Sequence, residues 1–135
     1  MKNLIFLGCT FVFMLLLVSC KNENADSKDT HTNSYEQISQ NDAKTIMETE
    51  VGYTILDVRT KEEYEDGHIK NAICIPVETI SESISETLPD KNQLILVYCR
   101  SGNRSKKASQ KLADLGYTNV KEFGGINTWE DPLEK

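Results

Sequence analysis

Leu94-Ile95-Leu96-Val97-Tyr98-Cys99-Arg100-Ser101-Gly102-Asn103-Arg104-Ser105 is the stretch on which the fold of this chain turns. Residues 94–98 are apolar without alternation, as in a strand buried on both faces. After the polar loop, Ala108, Leu112 and Leu115 form one face of a helix, with Lys106, Lys107 and Lys111 expected on the wet side and Gly116 closing it. Cys99 therefore lies at a strand-to-helix turn. A thiol there faces the positive end of a helix dipole and several unpaired backbone N–H groups, and both favour the nucleophilic thiolate. Arg100 and Arg104 add fixed positive charge, and Gly102 lets the backbone turn tightly enough to aim its N–H groups inward. With Ser101 and Asn103 these residues make an anion-binding cradle over a sulfur nucleophile. A cysteine retained for packing has apolar neighbours; Cys99 has none after it, and a partly exposed, reactive thiol is expected.

Working outward, strand and helix signals alternate. Ser39 followed by Asp42 opens a short helix with Ala43, Ile46 and Met47 on one face, ended at Gly52. Residues 53–58 read as a buried strand, and Thr60-Lys61-Glu62-Glu63 is a capping box whose helix stops at Gly67. Residues 72–75 form another strand, ended by Pro76. Ile80, Ile84 and Leu88 recur every fourth residue, which marks an amphipathic helix closed by Pro89. Residues 119–123 form a last short strand, and Gly124-Gly125 turns into a terminal helix carrying Trp129. Such alternation with short connections implies an α/β fold, a parallel sheet with helices on both faces. Its ligand belongs beyond the carboxyl ends of the strands, where Cys99 lies.

The 135 residues hold one domain, and the first nineteen stand apart from it. Lys2, a largely apolar run over residues 4–18 and the ending Leu17-Val18-Ser19-Cys20 have the layout of a secretory signal peptide, short for a membrane span of about 20 residues. The ending resembles a bacterial lipobox, which implies that Cys20 is lipidated and that the folded part sits in the cell envelope, periplasmic or at the cell surface. An uncleaved hydrophobic anchor is the competing reading. Residues 20–34 carry almost nothing apolar and are expected to be a disordered tether, leaving residues 35–135 as the domain. His31 falls in that tether and is read as solvated. Cys74 and Cys99 are then the cysteines of the folded part, too few for a disulfide framework. Cys74, inside an apolar run, is read as packing, with a redox pairing to Cys99 left open.

The net charge is −6, and −7 once residues 1–19 are removed. An acidic chain argues against nucleic acid, which needs a basic footprint. Against that background Arg100, Arg104, Lys106 and Lys107 are a basic cluster around Cys99, so the ligand is expected to be a small anion.

Four segments in order carry a family likeness: Asp57-Val58-Arg59 with Glu63-Tyr64; Gly67-His68-Ile69-Lys70-Asn71-Ala72 with Ile75-Pro76; the Cys99–Ser105 loop; and Gly124-Gly125-Ile126 with Trp129. Over residues 35–135 the chain resembles the rhodanese family. The resemblance implies a single-domain rhodanese-like sulfurtransferase on a five-stranded parallel sheet, with no metal or organic cofactor. A sulfane sulfur would pass from an anionic donor, thiosulfate or persulfide-like, through a Cys99 persulfide to a thiol, protein thiol or cyanide. Asp57 and Arg59 are read as scaffold that pairs with each other or with the loop, and His68 as fixing the turn after Gly67. A sulfur carrier or thiol sensor that works by docking a protein partner is an alternative. A small phosphatase or arsenate reductase is another. The loop spacing opposes it, because four residues separate Cys99 from Arg104 where the phosphatase pattern has five.

Overall fold

In a computed structural model of the chain, residues 33–135 are described. The expected signal peptide, Cys20, His31 and most of the tether lie outside the described residues. Five strands, β1 (Glu36–Gln37), β2 (Thr54–Asp57), β3 (Ala72–Cys74), β4 (Ile95–Cys99) and β5 (Val120–Gly125), form one parallel sheet in the order β1-β5-β4-β2-β3. Three helices, α1 (Gln40–Thr49), α2 (Lys61–Asp66) and α3 (Asn103–Asp114), connect them.

The central strand explains the unbroken apolar run that announced it. Ile95, Val97 and Cys99 point to one face, packing with Leu56, Val58, Ala108 and Leu112; Leu96 and Tyr98 point to the other, packing with Ala43, Ile55 and Phe123. All five residues of β4 are at most 1 % exposed, because neighbouring strands and both covering layers enclose it. Its register with β5 shifts between Val97 and Cys99, at the end where the loop begins.

The helix starts follow their caps. Ser39 and Asp42 bond reciprocally at α1, and Thr60 and Glu63 do so at α2, each pair satisfying two orphan donors of a first turn. Three expectations are corrected. Residues 77–88 are not an α-helix: 3-10 turns at Val77–Thr79 and Glu82–Glu86 take its place, with Ile80, Ile84 and Leu88 buried all the same. Ser81, Ser83 and Ser85 alternate through this segment and bond locally, Ser81 Oγ to Ser83 Oγ at 2.9 Å and Ser85 Oγ to the Glu82 carbonyl at 3.0 Å, which competes with helical pairing. After β5 there is no terminal helix either, only a 3-10 turn at Ile126–Thr128. Trp129 follows it, half-buried against Phe123 with the Lys44 ammonium 4.7 Å from its ring centre. Lys111, expected in solvent, is half-buried and donates from Nζ to the Val77 carbonyl at 2.9 Å, tying α3 to the first 3-10 turn.

Candidate active site

Cys99 closes β4, and residues 100–102 carry the chain into α3. Gly102 takes φ +102°, a left-handed conformation that side chains resist, and its N–H donates to Cys99 Sγ at 3.0 Å. The loop's other wall is the Gly124-Gly125 pair. Gly124 also turns left-handed, at φ +95°. Gly125 has ordinary backbone angles but no space: a Cβ there would strike the Arg100 carbonyl oxygen, Ser101 Cα and Asn127 Oδ1. The loop therefore rests directly on the backbone of β5, and Asn127 N–H fastens the Arg100 carbonyl at 3.1 Å.

This geometry makes the thiol acidic although it is buried. Burial raises its pKa, but hydrogen bonding with Ser105, through side chain and backbone, and with the N–H groups of Gly102 and Ser101 outweighs that, and the net shift is downward. The N-terminus of the twelve-residue α3, with no acidic residue in its first turn, points the same way. The expected partial exposure is corrected: the loop closes over its own cysteine, leaving Cys99 1 % exposed.

The two arginines part company. Arg104 is locked by Glu63 of α2, Nη1 to Oε2 at 2.7 Å and Nη2 to Oε1 at 2.8 Å, a bidentate pair. Hydrogen bonding to Arg104 holds the Glu63 carboxyl down to about 2. Arg104's charge is thus shared between the carboxylate and the cysteine, whereas Arg100 is exposed and forms no side-chain hydrogen bond or ion pair among the described residues. Ser101 and Asn103 are also exposed at the loop surface, and Gly102 is buried beneath them.

Asp57, Arg59 and His68 are elsewhere. Asp57 shares the register row of Tyr98 and so lies on the face opposite Cys99. Its carboxylate takes Arg59 Nη2 at 2.6 Å and the Tyr98 hydroxyl at 2.6 Å; Arg59 also reaches the Gly67 carbonyl at 2.7 Å, and Tyr98 Oη accepts from Ile69 N–H at 3.1 Å. This buried network fixes the chain between α2 and β3. Burial, then the Asp57 carboxylate, push the Tyr98 phenol well above its ordinary range. His68 stacks on Tyr64 with ring centres 3.8 Å apart, places Nδ1 2.9 Å from the Tyr64 carbonyl and exchanges backbone hydrogen bonds with Glu134. Cys74 pairs in register with Asp57, two strands from Cys99 and on the other face. Strands about 4.8 Å apart put two such Cα atoms beyond the ~7 Å limit for a disulfide, so an internal Cys74–Cys99 bond is excluded.

Besides Glu63, a second acidic residue outside the loop touches the site. Glu122, 3 % exposed in β5, accepts the Ser105 hydroxyl at 2.6 Å and Gly124 N–H at 2.9 Å through Oε1. The signal was present: Val120 and Glu122 share one parity in a short strand, and an acid at an inward position needs a partner.

Comparison with known proteins agrees with this fold. A family model described as "Rhodanese-like domain" matches residues 39–132. Thiosulfate sulfurtransferase PspE of Escherichia coli K12 is 41 % identical over 80 residues, covering 59 % of this chain and 77 % of that protein. The adenylyltransferase and sulfurtransferase UBA4 of Candida albicans is 32 % identical over 105 residues, 73 % of this chain, which spans only 24 % of that protein's length. Among solved structures, the rhodanese-like domain of the Anabaena protein Alr3790 superposes with a TM-score of 0.67 at 33 % identity, covering 73 % of this chain and 77 % of that one. The match of that family model over well more than half of the sequence, with the fold likeness beside it, shows that the chain belongs to the rhodanese-like domain family.

Proposed function

We propose that the protein is a rhodanese-type sulfurtransferase working by double displacement at Cys99. The observation that carries this reading is the Gly102 N–H held 3.0 Å from Cys99 Sγ at the mouth of α3. The Cys99 thiolate attacks the outer sulfur of an anionic donor such as thiosulfate. The donor's S–S bond breaks, sulfite leaves with the bonding pair, and a Cys99 persulfide remains. Its terminal sulfur carries the negative charge, which the N–H groups of Ser101, Gly102 and Ser105 that bond Cys99, with Arg100 of the same loop, would stabilise. A thiolate or cyanide then takes that sulfur and frees the Cys99 thiolate. Arg104 contributes with its position fixed by Glu63.

The test is thiocyanate formation from thiosulfate and cyanide. Turnover by the protein and none by Cys99→Ser supports the enzyme. A persulfide that forms but passes only to protein thiols supports the carrier reading, whose motivating observation is the 1 % exposure of Cys99.

For the N-terminus the proposal is a lipid anchor at Cys20, placing the domain outside the cytoplasm in the cell envelope. Support is the Leu17-Val18-Ser19-Cys20 ending after a short apolar run. Metabolic labelling with a fatty acid checks it: label present in the chain and absent from Cys20→Ser supports the anchor, and label in neither removes it.

A further inference from the structure

Ser105 has one hydroxyl hydrogen and several oxygens or sulfurs competing for it. Cys99 Sγ lies 3.5 Å away, the Gly102 carbonyl 2.9 Å and Glu122 Oε1 2.6 Å. A carboxylate at the shortest distance wins such a contest, since hydrogen bonds to ionised acceptors are about twice as strong as neutral ones. With the hydrogen committed to Glu122, Ser105 presents a lone pair to Cys99, so the S–H donates to it and a thiolate would face an oxygen instead of a donor. The carboxylate also stands behind that hydroxyl, in a site where Ser105 and Glu122 are 0 % and 3 % exposed and solvent screening is weak. The two hydrogen bonds in series bring it within about 6 Å of the sulfur.

We propose that Glu122 is a positioning residue which, through Ser105, sets how much of Cys99 is thiolate: it draws the hydroxyl hydrogen away from the sulfur and opposes the thiolate's charge. The backbone N–H groups still favour ionisation, and Glu122 limits how far it goes. That limit has a use in a double displacement. Cys99 attacks in the first half and leaves in the second, and intrinsic thiolate nucleophilicity falls as acidity rises while leaving ability improves. Other charged groups around the sulfur are Arg104 of α3 with Glu63 of α2 upon it, and Glu78 near Arg104. Lys106 of α3 shares with Glu122 a polar cleft of about 400 Å³ behind the loop, which Gln40 and Thr128 also line.

Glu122→Gln is a clean perturbation, because the amide oxygen can still accept from Ser105 and Gly124 while the charge is gone. The proposal rests on the sulfurtransferase reading for its purpose, but its test does not use sulfur transfer. Iodoacetamide alkylation of the full chain across a pH series, quantified on the Cys99 peptide by mass spectrometry, gives the ionisation midpoint of that one cysteine. Glu122→Gln is expected to lower the proton affinity of Cys99 by about tenfold or more, one pH unit. In a Ser105→Ala background the same change should act at less than half that size on a logarithmic scale, since the conduit is missing. Ser105→Thr, which keeps the hydroxyl, should retain the full effect if Ser105→Ala does not fold. An unchanged or higher midpoint in Glu122→Gln overturns the proposal. So does a full-sized shift that ignores the loss of Ser105. A lowered midpoint in a protein that never forms thiocyanate would sustain this inference and reject the enzyme reading.

Discussion

Gly125→Ala tests how the cysteine loop is held. The backbone at this position is unstrained, φ −123°, so alanine carries no conformational penalty there. The added methyl instead meets the Arg100 carbonyl oxygen and, 2.6 Å away, Ser101 Cα, both of them backbone. No rotamer relieves a clash with backbone, so the loop must move by several tenths of an ångström or more. Overpacking of this kind costs about 1–3 kcal/mol. The activity loss should be larger, because the segment that moves carries the N–H donors of Cys99, and a 1 Å misplacement costs on the order of 100-fold in rate. Gly124→Ala is the matched control. Its added methyl finds only Gln40 Nε2, at 4.0 Å, but φ is +95°, so it loses about 1–2 kcal/mol to backbone strain with the loop left in place. Urea unfolding and thiocyanate formation, measured on both variants, separate the two effects. Similar stability losses with activity collapsing only in Gly125→Ala are expected. Full activity in Gly125→Ala would refute the claim that contact with β5 fixes the loop.

Other outcomes follow from the remaining contacts. The Glu63 carboxyl titrates at about 2 instead of 4.5, so its pairing with Arg104 adds stability that is complete above pH 4.5 and is lost as pH falls toward 2. Both partners being partly exposed, this amounts to about 1–2 kcal/mol, and Glu63→Gln should flatten that part of the acid unfolding curve followed by circular dichroism. Tyr98→Phe removes the phenol that serves both Asp57 and Ile69 N–H; a loss of about 2–3 kcal/mol in urea unfolding is expected, with thiocyanate turnover nearly intact because the network faces away from Cys99. Cys74→Ser should leave persulfide formation at Cys99 unchanged by mass spectrometry, since Cys74 lies two strands away on the other face.

Much of the fold was legible wherever a residue's surroundings are local. The two capping boxes lie within four residues each, so Ser39-Asp42 and Thr60-Glu63 could be read directly. The unbroken run before Cys99 announced a strand with no exposed side. Strand β1 carries no local signal, because Glu36 and Gln37 are both exposed and its two residues are specified by β5 pairing alone. The recurrence of Ile80, Ile84 and Leu88 correctly marked a buried face but not the helix type, which the intervening serines decide by hydrogen bonding to their neighbours. At the site, the identity of the loop was written in consecutive residues. What surrounds it was not: Glu63 reaches Arg104 across 41 positions and Glu122 reaches Ser105 across 17, and only the sheet order brings them there.

The most direct measurement is the intact mass of the full chain after exposure to thiosulfate or a low-molecular-weight persulfide, followed by peptide mapping. A gain of one sulfur atom, located at Cys99, absent from Cys99→Ser and discharged by cyanide, is the expected result. A Cys99 that never acquires sulfur from any such donor, or a sulfur found on another residue, contradicts the account.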